Sequence, residues 1–212
     1  EMWQPTHRLL GVTEELLDKA KGSPAEGVAV ITQEIERAAG GSCAEEDEFG
    51  WRDVDYLRYI LDPEHPDTTL DRPPGIDNGS LEEFCEAPLA CDAGLSKADI
   101  LALRLYSTSV SNNINYYLRV GCTSERPHPY PVLVFHLVLA LDALTSVQQN
   151  ESQVLWRGLE RNMMYDFKQF QTRGASERGF TSTTAKEITS EVQATLKILP
   201  PPGGFPGADI SF

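Results

Sequence analysis

The sequence predicts an α+β fold, with helices in its N-terminal half and strands after them. Three observations carry this expectation. Apolar residues recur at helical spacing in successive segments as far as Val147, and the period turns strand-like from Gln153 onward. No candidate strand is followed by a glycine-rich phosphate loop, and strands do not alternate with helices, which argues against a doubly wound parallel sheet.

The elements follow in order. Thr13 to Ala20 places Leu16 and Leu17 in a charged pattern, and Ser23-Pro24 then opens a second helix with a capping hydroxyl and a proline at the first helical position. Val28, Ile31 and Ile35 give it one apolar face, and Gly40-Gly41 ends it. Trp51 to Leu61 reads as a third short helix with Trp51, Val54, Leu57 and Tyr59 directed to a core. Prolines, glycines and aspartates accumulate from Asp62 to Ser80, marking a long irregular connection. Ser96-Lys97-Ala98-Asp99 resembles a capping box, and Ile100, Leu103, Tyr106 and Val110 share one side of the helix that follows. After a polar break at Ser107 to Asn113, Ile114, Tyr117 and Leu118 resume the pattern. Arg126 to Pro131 is a proline-rich extended connection, and Val132 to Val147 is apolar nearly all round, as a buried helix would be. His136 on that helix reads as a core or boundary histidine, with no second ligand at helical spacing. Val154 to Trp156, Gly179 to Thr184 and Ala194 to Leu199 are the strand candidates, with a more helical piece from Met163 to Gln171.

At 212 residues, with 41% hydrophobic and 24% charged, the chain has ordinary globular composition and can bury a core. A formal net charge of -14, from 18 basic and 32 acidic residues, repels a nucleic-acid backbone, and no basic patch offsets it. The acid excess in Glu45 to Glu48, Asp53 to Asp71 and Leu81-Glu82-Glu83 reads as solvated faces and loops, the functional alternative being attraction of a basic protein partner. Cys43, Cys85, Cys91 and Cys122 lack zinc-ligand spacing, so no metal site is expected, and two disulfides remain open. The sequons at Asn78 and Asn150 fit a secreted or surface protein without deciding the compartment. The longest apolar stretch, Val132 to Leu144, is interrupted by His136 and Asp142 and falls short of the roughly 20 residues a membrane span needs. Beginning at Glu1 rather than methionine, the chain reads as a fragment or a processed form.

Two stretches carry more than a core strand requires. In Val154-Leu155-Trp156-Arg157-Gly158-Leu159 an arginine stands on an apolar strand, and Gly179-Phe180-Thr181-Ser182-Thr183-Thr184 ends in four consecutive hydroxyl side chains. An arginine in such a place costs several kcal/mol unless an anionic or polar group meets it, and a dinucleotide phosphate would serve. Either stretch alone is compatible with a salt bridge or with ordinary β-propensity.

Taken with Leu95 to Arg119 and the helix from Pro131 to Leu144, these stretches come in the order seen in mono-ADP-ribosyltransferases. The chain resembles the arginine–serine–glutamate clade, which includes vertebrate ecto-transferases and several bacterial toxins, over Ala90 to Phe212. The resemblance implies that a helical N-terminal half is followed by a mainly antiparallel two-sheet core enclosing an NAD cleft. It divides the chain into a helical extension or lead-in over 1–89, with the irregular 62–80 connection, and a transferase-like core over 90–212. Arg157 would contact the NAD phosphates, Gly158 would face the nicotinamide amide, and Ser182, followed by Thr183, would orient the site. Arg157 and Ser182 are thus the catalytic candidates, and Arg157, Gly158, Ser182 and Thr183 the NAD-binding ones.

The clade's glutamate motif would fall after Phe212, which leaves the core incomplete at its C-terminal end, and Glu187 and Glu191 follow Ser182 too closely to replace it. The resemblance implies transfer of ADP-ribose from NAD to a side chain of a protein acceptor, arginine being one candidate, or to water as an NAD glycohydrolase. The alternative from another class is a catalytically silent module that keeps the fold and holds a basic partner. Oligomeric state and compartment are not readable.

Overall fold

The computed structural model describes residues 18, 23–41, 45–62, 79–122, 126–148, 155–159, 179–180, 183 and 194–198. Among them are seven helices: α1 (Pro24–Ala39), α2 (Asp53–Leu61), α3 (Leu81–Cys85), α4 (Pro88–Ala93), α5 (Lys97–Tyr106), α6 (Val110–Val120) and α7 (Pro131–Val147). Two strands follow, β1 (Leu155–Leu159) and β2 (Ala194–Ile198), paired antiparallel.

This corrects the predicted fold class. The described residues are overwhelmingly helical, and their strands amount to one two-stranded ladder rather than a mainly antiparallel two-sheet core enclosing an NAD cleft. The strand expected at Gly179 to Thr184 is not formed at Gly179, Phe180 or Thr183. The physical reason is visible at Phe180, whose backbone N–H donates to the Asn115 side chain at 2.7 Å. High β-propensity describes a residue's fit to a half-buried pleated surface, and a tertiary hydrogen bond of this kind overrides it. The helical candidate at 163–171 lies outside the described residues, as does most of the 62–80 connection.

The helices form where local chemistry specifies their ends. Ser23 accepts from Glu26 N–H at 3.1 Å at the start of α1, and Gly40 caps its end. Ser96 and Asp99 close the expected capping box at α5, with Ser96 N–H donating to Asp99 at 2.8 Å. A second capping box, Ser80 with Glu83, starts α3 and carries Leu81 into the core, although Leu81-Glu82-Glu83 read as a solvated acidic run. Gly94 ends α4 at a φ of 64°, the left-handed conformation that glycine adopts without steric cost. The break between α5 and α6 is shorter than expected, because Ser111 to Asn113 already belong to α6.

Helix α5 is the centre of the packing, in contact with α1, α2, α3, α6 and α7. Every residue from Ile100 to Tyr106 is buried, so the helix expected to pack on one side is enclosed all round. Conversely, α7, expected to be wholly buried, leaves Leu139 43% and Val147 39% exposed. One cluster unites Ile31 and Ile35 of α1, Trp51, Leu57 and Ile60 around α2, and Leu101, Leu105, Ile114, Leu133 and Leu137 of the later helices. Fully burying a side chain of this size contributes roughly 1.5–3 kcal/mol.

Several charged groups in this core are paired. Asp53 and Asp55, expected in a solvated run, are buried, with Asp53 accepting from Tyr130 and from Asn113 at 2.8 Å, and Asp55 from Arg52 at 2.9 Å. Arg104 donates to the Gly79 carbonyl and stacks over Phe84 at 4.0 Å. A Cβ at Gly79 would stand 2.7 Å from the Phe84 ring, so the close approach of these segments needs glycine there.

Candidate active site

The sequence candidates fall on two segments. Arg157 and Gly158 are consecutive residues of β1, paired with Leu196 and Thr195 of β2 respectively. A glycine inside a strand weakens it and leaves a position where another group can approach the backbone closely. Trp156, paired with Lys197, is half-buried. On the second segment Thr183 is described and exposed, while Ser182 lies outside the described residues.

That second segment is held by the helical part of the molecule at Gly179 and Phe180. Asn115 on α6 is 8% exposed, and its amide is oriented at both ends. Its Nδ2 donates to the Tyr106 hydroxyl at 3.2 Å, and its Oδ1 accepts from Phe180 N–H at 2.7 Å. Tyr106, the last residue of α5, also meets the Phe180 ring edge-on, with centroids 5.4 Å apart. A Cβ added at Gly179 would lie 2.7 Å from Asn115 Oδ1 and 3.3 Å from Cγ, so the segment can approach this closely only with glycine at that position. Sequence reasoning found the hydroxyl run but missed Asn115. The available signal was an asparagine beside Ile114 on an otherwise amphipathic helix, with nothing local to say what it bonds.

The remaining buried titratable groups serve the helical core. Glu34 on α1 accepts from Val132 N–H at 3.0 Å and Leu133 N–H at 3.2 Å, satisfying amides at the start of α7, where Tyr130 provides no side-chain cap. Burial pushes its carboxyl up to about 7, against the pull of those two amides and of Arg37. His128, 2% exposed, accepts from Tyr130 N–H at Nδ1 at 3.0 Å, which assigns its proton to Nε2 and makes the 3.2 Å contact with the Ile114 carbonyl a donated bond. Burial lowers this imidazole to about 4, more than the two backbone bonds restore.

Burial likewise raises the Asp53 carboxyl, opposed by Tyr130 and Asn113. Burial also pushes Asp99 upward, but hydrogen bonds from His136 and Ser96 outweigh it and hold the carboxyl below the ordinary aspartate range. His136 is buried as expected, 2.8 Å from Asp99 through Nδ1, and its Nε2 has no partner among the described residues.

Among the described residues no group of three or more histidine, cysteine or acidic side chains could hold a metal ion. Cys85, Cys91 and Cys122 are free thiols, and Cys43 lies outside the described residues. No helix among the described residues is long and apolar enough to cross a membrane.

The family model for NAD:arginine ADP-ribosyltransferases matches residues 82–199, more than half of the 212-residue chain. The protein belongs to that family, as the resemblance implied. No curated protein and no solved structure matches the chain.

Proposed function

We propose that the protein takes NAD as substrate and transfers its ADP-ribose to a protein side chain, arginine in the first instance, with release of nicotinamide. The observation that carries this reading is the family match, whose span of 82–199 includes Arg157, Gly158, Ser182 and Thr183. In the reaction the bond from ribose C1′ to the nicotinamide nitrogen breaks, and its electron pair leaves with nicotinamide, which departs neutral. Positive charge builds on the ribose, an acceptor nitrogen bonds to C1′, and that nitrogen gives up a proton.

The residue types suit these demands. Arg157 would take the diphosphate through a planar fork of N–H donors, an interaction a lysine cannot reproduce. Gly158, at a ladder position without a side chain, would admit the flat nicotinamide amide to the backbone. Ser182 and Thr183 would orient the bound NAD with hydroxyls. A carboxylate against a ribose hydroxyl would complete the electrostatic stabilisation, and no residue between Glu1 and Phe212 is assigned that role.

The test is incubation of the full chain with NAD labelled in its adenylate half, following nicotinamide release and labelling of an arginine-bearing acceptor protein. Arg157→Ala is expected to lower kcat/KM by about 100-fold or more, the scale of losing a principal electrostatic contact. Nicotinamide release and labelling no faster in wild type than in Arg157→Ala would overturn the proposal. Release without labelling would assign hydrolysis in place of transfer.

A further inference from the structure

Beyond the proposed NAD contacts, Asn115, Tyr106 and Gly179 form a bracket between the helical core and the segment that precedes the hydroxyl run. We infer that Asn115 is a positioning residue for the NAD site: it fixes the backbone at Gly179–Phe180, the lead-in to the hydroxyl run, against the helical core. This rests on the reading of Ser182 and Thr183 as NAD contacts.

Three observations around one amide describe this segment. The first is the hydrogen bond from Phe180 N–H to Asn115 Oδ1 at 2.7 Å, joining positions 65 residues apart in the sequence. The second is the bond from Asn115 Nδ2 to the Tyr106 hydroxyl at 3.2 Å, which orients the amide so that its oxygen faces Phe180. The third is the steric fit at Gly179, where a Cβ would stand 2.7 Å from Asn115 Oδ1. Tyr106 adds an aromatic contact to the Phe180 ring at 5.4 Å.

The bracket rests on firm ground. Tyr106 ends α5, the helix at the centre of the packing, and Asn115 lies between the buried Ile114 and Leu118 of α6. Ser182 follows Phe180 by two residues in the sequence. Groups that orient a reacting centre must be held to a fraction of an ångström, and a misplacement of about 1 Å can cost about 100-fold in rate. An asparagine suits the task because one planar side chain both accepts from a backbone N–H and donates to a second anchor, so its orientation is set.

The experiment is a double-mutant cycle on the full chain with Asn115→Ala and Gly179→Ala, read by steady-state NAD turnover and by amide hydrogen exchange at Phe180, at a temperature where circular dichroism shows each protein folded. Each single variant is expected to lower kcat about tenfold with KM for NAD changed less than threefold, because the diphosphate contact at Arg157 is untouched. The double variant is expected to be no worse than Asn115→Ala alone, since removing the amide also removes the atoms a Cβ at position 179 would strike. Exchange at the Phe180 amide is expected to quicken at least tenfold in Asn115→Ala.

Wild-type kcat and KM in Asn115→Ala, or fully multiplicative effects in the double variant, overturn the inference. If wild type releases no nicotinamide, the enzymatic reading fails separately, and the bracket is judged on exchange. Equal exchange at Phe180 in wild type and Asn115→Ala then overturns it.

Discussion

Replacing Glu34 by glutamine is expected to make the protein more stable above neutral pH while leaving it nearly unchanged below pH 4.5. Glu34 is 4% exposed and reaches two backbone amides at the start of α7. Its folded-state carboxyl is raised from an ordinary 4.5 to about 7, so the folded chain holds a proton there that the unfolded chain releases. The stabilisation from this group is therefore fully present below pH 4.5 and is lost as the pH rises through 7. Two and a half pH units at about 1.4 kcal/mol each give a loss of about 3 kcal/mol.

Glutamine has nearly the shape of the protonated acid, and its carbonyl can still accept from Val132. Its stability relative to wild type is thus expected to climb by about 3 kcal/mol between pH 4.5 and pH 8. Urea melts followed by circular dichroism at several pH values, with slopes checked for constancy, measure this directly. Parallel stability curves for the two proteins across that range would refute the assignment of a raised carboxyl at Glu34.

The opposite sign is expected at His128, whose imidazole is lowered from 6.5 to about 4 by burial. Its contribution is present above pH 6.5 and disappears as the pH falls through 4, so His128→Gln should spare the variant a loss of about 3 kcal/mol that wild type suffers, again read by urea melts. Between pH 4.5 and 6.5 the two groups have opposing slopes, and the single variants are needed to see either one. Gly94→Ala isolates backbone conformation from packing, because φ is +64° and a Cβ there meets nothing within 4 Å. It should cost about 1 kcal/mol in thermal or urea unfolding, with no other effect.

Much of the helical architecture was legible because its signals are local. Ser23-Pro24 and Gly40 mark both ends of α1, and Ser96 with Asp99 announces α5, since capping bonds close within one turn. Helix α3 carried the same signal in Ser80 and Glu83, but grouping Leu81-Glu82-Glu83 by charge hid it. The enclosure of α5 and the partial exposure of α7 were not legible, because periodicity reports the apolar faces of one helix and not how many neighbours surround it.

At the candidate site the arginine and hydroxyl stretches stood out by residue type, and their order supplied the family that the match to 82–199 bears out. The strand at Gly179 to Thr184 failed at Gly179 and Phe180 because the deciding hydrogen bond comes from a side chain on α6, far away in the sequence. No local pattern contains that information. Arg157 and Gly158 do lie in a strand, where the β-branched and aromatic content placed them.

The corner before α7 ties α1, α2 and α6 to one point. Tyr130 is tied to Asp53 of α2, Val132 and Leu133 to Glu34 of α1, and His128 to the Ile114 carbonyl of α6. Two of these ties join residues 77 and 98 positions apart. The span that matches the family, 82–199, contains neither Asp53 nor Glu34. Excised at those limits, it would expose the faces of α5 that α1 and α2 cover and strand two amides at the head of α7. The family signature over 82–199 thus covers only part of a core that α1 and α2 complete.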